Sequence, residues 1–154
     1  MADLPLTFRR VEAADGPFLT ELAVARWAHL PLAELAELQD RAQRREYVGR
    51  FGADGEHLVL LDGMPVGRAW WSDSDAGRWI VDVALLPTVQ RRGVGTSVFK
   101  VLIAGAGGRA VYCSVEASMG GWRGQLEQLG LVETSSDEVY VSLARPARVQ
   151  APET

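Results

Sequence analysis

The sequence predicts an α+β fold, and three observations carry the prediction. Strand-like runs at residues 57–61, 65–71 and 78–86 follow one another across short turns, the pattern of an antiparallel meander. Two helical stretches precede the meander and one follows it, so strands and helices are segregated instead of alternating as regular βαβ units. The meander ends at Pro87 and runs through a basic, glycine-rich loop, Gln90-Arg91-Arg92-Gly93-Val94-Gly95-Thr96, that opens the next helix.

Each element has a local reason. Residues 6–11 (LTFRRV) suit a first strand. Asp15 is placed to cap the following helix, and Pro17 fits its first turn because that N–H needs no partner. Leu19, Leu22, Ala23 and Trp27 recur at helical spacing and mark a buried stripe. Pro31 restarts a second helix, in which Leu35, Leu38 and Ala42 give an apolar face and Arg41, Arg44, Arg45 and Arg50 a solvated one. Asp62-Gly63 joins the first two meander strands as a hairpin turn, and residues 73–77 turn into the third. A helix from Gly93 to about Ala104 stops at Gly105-Ala106-Gly107-Gly108. A short strand (110–115), a short helix (122–129) closed by Gly130, and a closing strand (139–143) complete one domain over residues 4–145. Residues 146–154 are expected to be a disordered tail.

Bulk composition narrows the function. The chain has 154 residues, 47% hydrophobic and 23% charged, which is globular composition with length enough for a sizeable core. A net charge of −4 and a pI near 5.2 argue against wholesale nucleic-acid binding. The single cysteine, Cys113, excludes an internal disulfide and points to a reducing compartment. Residues 1–5 lack a signal-peptide pattern and no apolar run reaches membrane-spanning length, so a cytoplasmic location is expected. His29 and His57 have no metal-ligand spacing with each other or with Cys113, and no metal is expected.

The loop at residues 90–96 has the features of a pyrophosphate cradle. A helix N-terminus presents unpaired N–H groups and the positive end of the helix dipole. Glycines let the backbone approach a phosphate, and Arg91 and Arg92 add positive charge. The stretch is not a Walker A loop, which needs G-x-x-x-x-G-K-[ST]. It is not a Rossmann fingerprint either, because Val98 stands where the third small residue is required. It does fit Gln/Arg-x-x-Gly-x-Gly, and with Pro87 three residues before Gln90 it resembles the coenzyme-A loop of the GNAT acetyltransferase superfamily. The resemblance runs from about Leu6 to Leu143 in the order β-α-α-β-β-β-α-β-α-β-β. The wording Val81-Asp82-Val83-Ala84-Leu85-Leu86-Pro87 is similar to that of a largely bacterial group of small members.

The resemblance implies a GNAT-like fold: a splayed, mixed but mostly antiparallel central sheet of about six to seven strands, flanked by about four helices. It implies acetyl-CoA, or another acyl-CoA, as cofactor. The pantetheine arm would pair with the backbone of Val83, Ala84 and Leu85 as an added strand does. Pyrophosphate would lie on the N–H groups of Arg91, Arg92, Gly93, Val94, Gly95 and Thr96, with Gln90 buttressing the turn. The implied activity is transfer of acetyl to a primary amine by direct attack in a ternary complex. An alkyl ammonium, with a pKa around 10.4, must lose its proton first. Asp82, on the cofactor strand, and Glu116, at the end of the strand across the splay, are the candidate bases; Glu34 and Glu37 are further acidic residues on the acceptor side. Trp27 and Trp122, two of five tryptophans, are the expected acceptor-pocket residues.

The C-terminal third departs from the family pattern. Relatives carry a general-acid tyrosine where Leu126 stands, and an asparagine where Gly120 or Gly121 stands. Cys113, Tyr47, Tyr112 and Tyr140 are alternative proton donors. A degenerate GNAT-fold module that binds CoA or a protein partner without catalysis therefore stays open, favoured by Gly120, Gly121 and Leu126. A nucleotide-binding protein is disfavoured by the missing P-loop lysine and Rossmann acid. The expected partner is a small-molecule or peptide amine, with neither nucleic acid nor membrane. The family's frequent dimerisation through C-terminal strands makes a homodimer compatible.

Overall fold

The computed structural model describes residues 4–116 and 120–148, without the side chain of Glu116. It contains β1 (Leu6–Arg10), α1 (Gly16–Arg26), α2 (Ala33–Phe51), β2 (Glu56–Leu61), β3 (Met64–Ser74), β4 (Gly77–Leu85), α3 (Val94–Gly105), β5 (Ala110–Glu116), α4 (Gly120–Gln128), β6 (Val132–Ser136) and β7 (Tyr140–Arg145). The strands form one sheet in the order β1-β2-β3-β4-β5-β7-β6. β4 and β5 pair parallel; β1·β2, β2·β3, β5·β7 and β6·β7 pair antiparallel. This is the α+β architecture that the sequence predicts, with seven strands and four helices among the described residues. Internal contacts divide the chain into two units, Met1–Ser72 with Asp82–Val98, and Asp73–Val81 with Phe99–Thr154.

In the first unit the core lies on β2, β3 and α1. Leu58, Val59, Ala69 and Trp70 are buried, as are Leu19, Leu22 and Ala23, the predicted stripe of α1. Removing one such aliphatic side chain from water contributes about 1.5–3 kcal/mol. Asp62 and Gly63 both adopt positive φ (53° and 82°), so the β2–β3 hairpin turns as type I′, as an Asp-Gly pair favours. A bulge falls after Val59, opposite Val66, and the Val66 carbonyl accepts from Leu86 N–H (2.9 Å). Gly67 allows the close approach beside it: a Cβ there would lie 2.3 Å from the Ala84 carbonyl oxygen.

Two expectations fail in this unit. Asp15 does not cap α1 with its side chain. Its carboxylate accepts from Arg9 (2.9 and 2.9 Å) and from Glu12 N–H (2.7 Å), closing the short 3-10 turn Ala13–Asp15 instead. A nearby arginine outcompetes the helix N–H groups for a charged acceptor. The apolar face assigned to Leu35, Leu38 and Ala42 on α2 is also wrong. Leu35 and Leu38 are 39% and 57% exposed and Ala42 is exposed, whereas Ala36 and Asp40 are buried. The inward face of α2 is polar because it faces a buried arginine.

In the second unit the start of β4 pairs with β5 from Gly77↔Ala110 to Ile80↔Cys113. Trp79 stacks on Tyr112 (centroids 4.9 Å, 26° between planes). Val111, Leu126, Leu131 and Leu143 form the buried centre. Arg78 donates to Asp73 (2.9 and 3.0 Å) and to the Leu102 carbonyl in the last turns of α3 (3.0 Å), where a cation is favoured by the helix dipole. Beyond the end of α4, Gly130 takes φ 100° and Leu131 N–H returns to the Leu126 carbonyl (3.1 Å). Of the predicted tail, residues 149–154 lie outside the described residues, and Arg148 N–H bonds the Gly108 carbonyl (2.7 Å).

Candidate functional site

The 90–96 loop lies wholly within the first unit. β4 ends at Leu85, and a 3-10 turn, Pro87–Val89, reverses the chain through Val89 N–H to Leu86 carbonyl (3.1 Å). Proline fixes the first φ of that turn and has no N–H to lose. Gln90 is extended, Arg91 takes φ +64° and Gly93 φ +79°. Left-handed residues set between ordinary ones turn successive N–H groups towards a common side, a nest suited to an anion. A non-glycine residue in this conformation is uncommon, and strain of this kind gathers at binding sites.

The loop is braced at both ends. Gln90 Nε2 donates to the Leu85 carbonyl (3.1 Å), the buttress expected of this side chain. Val94 and Val98 are buried and anchor α3, while Arg91, Arg92 and Gly93 are exposed. The first i→i−4 bond of the helix is Ser97 N–H to Gly93 carbonyl (3.1 Å), so the N–H groups of Val94 and Gly95 precede the helical ladder. Ala84 and Leu85 are buried and Val83 is half-buried. These residues place two exposed arginines where β4 ends and α3 begins. A diphosphate ester fits such a donor set.

Asp82 occupies a different environment. Arg26, in the last turn of α1, forks onto both its oxygens (2.7 and 2.9 Å), and Arg68 donates to Oδ2 (2.7 Å). Arg68 is 1% exposed and also reaches Asp40 (3.2 Å), Glu56 (3.4 Å) and Gln43 (3.4 Å); Arg44 pairs with Glu56 (2.7 Å). Burial alone would raise the pKa of Asp82, but the two guanidinium groups outweigh it and hold the carboxyl below its ordinary value. A carboxylate so held gives up little of its charge to a proton. Sequence reasoning missed Arg26 and Arg68. The available signal was a lone cation inside an apolar strand, Val66-Gly67-Arg68-Ala69-Trp70, which demands a buried acid.

The other candidates fall in both units. Glu116 ends β5, paired in register with Tyr140, and its side chain lies outside the described residues; Gly120 and Gly121 open α4. Glu34 is exposed and Glu37 half-buried on α2. Trp27 is half-buried with the Arg26 guanidinium 4.9 Å from its ring, and Trp122 is half-buried edge-on to Phe99 (5.1 Å). Leu126 is fully buried, Cys113 is 5% exposed, Tyr47 lies edge-on to Trp70 (5.4 Å) and Tyr140 is exposed. Among the described residues no group of three or more His, Cys, Asp or Glu is placed to hold a metal ion. No helix among them is long and apolar enough to cross a membrane.

Among the described residues the architecture is the GNAT fold: a seven-stranded, mostly antiparallel sheet with four helices. Solved structures bear this out at low sequence identity. The ribosomal-protein-S18-alanine N-acetyltransferase of Escherichia coli matches with a TM-score of 0.69 at 17% identity, covering 97% of this chain and 98% of that one. An acetyltransferase from Thermus thermophilus matches with a TM-score of 0.69 at 18% identity, over 95% of this chain and 99% of that one. The PaiA N-acetyltransferase of Thermoplasma acidophilum, solved in complex with coenzyme A, matches with a TM-score of 0.66 at 12% identity, over 93% and 99%. No protein-family model and no curated protein matches the sequence. The likeness is one of fold.

Proposed function

We propose that the chain is an acyl-CoA-dependent N-acyltransferase that moves an acetyl group from acetyl-CoA to a primary amine by direct attack in a ternary complex. The observation that carries this reading is the braced 90–96 loop, with left-handed backbone at Arg91 and Gly93 and two exposed arginines, on a fold shared with N-acetyltransferases. Arg91, Arg92, Gly93, Val94, Gly95 and Thr96 would hold the pyrophosphate, and the main chain of Val83, Ala84 and Leu85 the pantetheine arm. The bound thioester supplies an activated acyl group, with a thiolate as leaving group.

The protein's own part is small. It binds both reactants, orients them and moves one proton. Holding the amine against the acyl carbon accounts for roughly 7–11 kcal/mol of barrier reduction in favourable cases. The amine reacts only when neutral, so a carboxylate must accept its proton directly or through water. Of the two candidates we assign that role to Glu116 and an anchoring role to Asp82, whose oxygens are already engaged by Arg26 and Arg68. Trp27 and Trp122 are the proposed acceptor-side aromatics, and the acceptor is a small-molecule or peptide amine.

One observation favours a second reading, a non-catalytic CoA-binding or protein-interaction module. Leu126, at the position of the family's general acid, is a fully buried core residue. Calorimetry with acetyl-CoA, CoA and ATP, followed by an amine screen, separates the readings. The enzyme binds acetyl-CoA but not ATP and acetylates an amine, and Glu116→Gln lowers kcat more than KM. Binding without turnover of any amine favours the module. No binding of any of the three ligands refutes both CoA-dependent readings and leaves the protein-interaction module.

A further inference from the structure

We infer that Arg26 is a positioning residue for the acceptor: its fork onto Asp82 fixes the Trp27 ring and through it the fit of the amine. The inference rests on the acyltransferase reading and on Trp27 as an acceptor-side residue.

Trp27 is where α1 ends. Its N–H still bonds the Ala23 carbonyl (3.0 Å), its own carbonyl accepts from Leu30 N–H (3.0 Å), and its backbone has left the helix (φ −107°, ψ 39°). Nothing in that geometry fixes the ring. The Arg26 guanidinium does, lying 4.9 Å from the ring centroid. That guanidinium cannot slide, because two bonds of 2.7 and 2.9 Å tie it to both oxygens of Asp82. Asp82 cannot turn, because its Oδ2 also accepts from Arg68 (2.7 Å). Arg68 is buried and pinned in turn by Asp40 of α2 and Glu56 of β2. A planar fork fixes rotation as well as distance, which an ammonium group does not. The tryptophan is therefore indexed to β4 itself, one residue before Val83, Ala84 and Leu85, the strand segment proposed to carry the pantetheine arm.

The test compares Arg26→Lys, which keeps the charge and loses the fork, with Arg26→Gln, which loses both. Acceptor KM should rise about tenfold in Arg26→Lys and further in Arg26→Gln, with kcat at saturating amine and the Kd of acetyl-CoA within about twofold of the parent. A second readout needs no turnover. In protein labelled with fluorotryptophan, the ¹⁹F line assigned to Trp27 by Trp27→Phe should shift and broaden in both variants, while those of the other four tryptophans stay in place. An unmoved Trp27 line in Arg26→Gln overturns the inference, as does a parallel rise in acetyl-CoA Kd and acceptor KM. If the parent protein neither binds acetyl-CoA nor acetylates any amine, the acyltransferase reading fails. The fluorine spectra then still decide whether Arg26 fixes Trp27.

Discussion

The 90–96 loop and the inner face of α2 hold arginines in opposite ways. In the loop, Arg91 and Arg92 are exposed and among the described residues neither has an ion-pair partner, on a backbone that turns left-handed twice within three residues. Beneath α2, Arg26, Arg44 and Arg68 meet Asp40, Glu56 and Asp82, three charges of each sign, with Arg68 and the two acids at 56 and 82 almost wholly buried. A charge left exposed on strained backbone is available to a ligand. A charge neutralised in the interior is spent on holding elements together. Acetyl-CoA affinity and fold stability should thus separate between the two regions.

The largest expected effect breaks the buried side. Arg68→Ala leaves Asp40, Glu56 and Asp82 facing one another without their shared cation, and should lower stability by about 3–5 kcal/mol. Urea titration with equal probes on α2 and β4 measures it. Next comes the exposed side. Arg91→Glu with Arg92→Glu should weaken acetyl-CoA binding on the order of a hundredfold while moving the urea midpoint little. A double variant that binds normally would remove the cradle assignment; one that unfolds would show that the two regions do not divide these tasks.

How much of this was readable in the sequence follows the range of the interactions. The hairpin at Asp62 and Gly63 is decided locally, and local pattern found it; the bond of Gln90 to Leu85 spans five residues, and a bracing role for Gln90 came from the family resemblance. The element order also follows from local turns and helix stops. The network did not show itself, because Arg26 and Asp82 are 56 residues apart and Arg68 and Asp40 are 28 apart. Periodicity then misread α2. Leu35 and Leu38 make an apolar stripe by count, yet Asp40 and Gln43 are the residues that turn to Arg68, since a buried arginine on β3 needs polar partners more than the core needs another leucine. Asp15 failed as a cap for the same reason at short range, with Arg9 as the better donor.

A third prediction tests whether the two regions are mechanically joined. Gly67→Ala places a methyl 2.3 Å from the Ala84 carbonyl oxygen and 2.6 Å from Leu85 Cδ2, so β3 or β4 must shift. The expected cost is about 1–3 kcal/mol of stability. Because the displaced residues precede the loop, acetyl-CoA affinity should fall as well, the one stability variant for which both readouts move together. Acidification gives a smaller effect with a definite sign. Asp82 has a folded pKa held below its ordinary value, so its contribution is complete above that ordinary value and disappears as pH falls through the folded one. Urea midpoints taken between about pH 6 and pH 2 should fall with acid, and Asp82→Asn should lower the midpoint at pH 6 and flatten the decline. Flattening will be partial, since Asp73, beside Arg78 and Arg109, is held low in the same direction.

The smallest expected effect is the most selective. Arg91→Gly removes a side chain from a left-handed position (φ +64°). The strain relieved is about 1–2 kcal/mol, and the extra freedom of glycine in the unfolded chain offsets roughly 0.5–1 kcal/mol of it. Stability should therefore rise by no more than about 1 kcal/mol, while one exposed charge of the proposed cradle is lost. The affinity for acetyl-CoA should drop and its dependence on salt should become shallower, because screening acts on the charge that is gone. Urea titration and calorimetry at two ionic strengths read both quantities. A loss of stability in Arg91→Gly would mean that the arginine side chain, like Arg68, is engaged in holding the fold, and the contrast between the two regions would not stand.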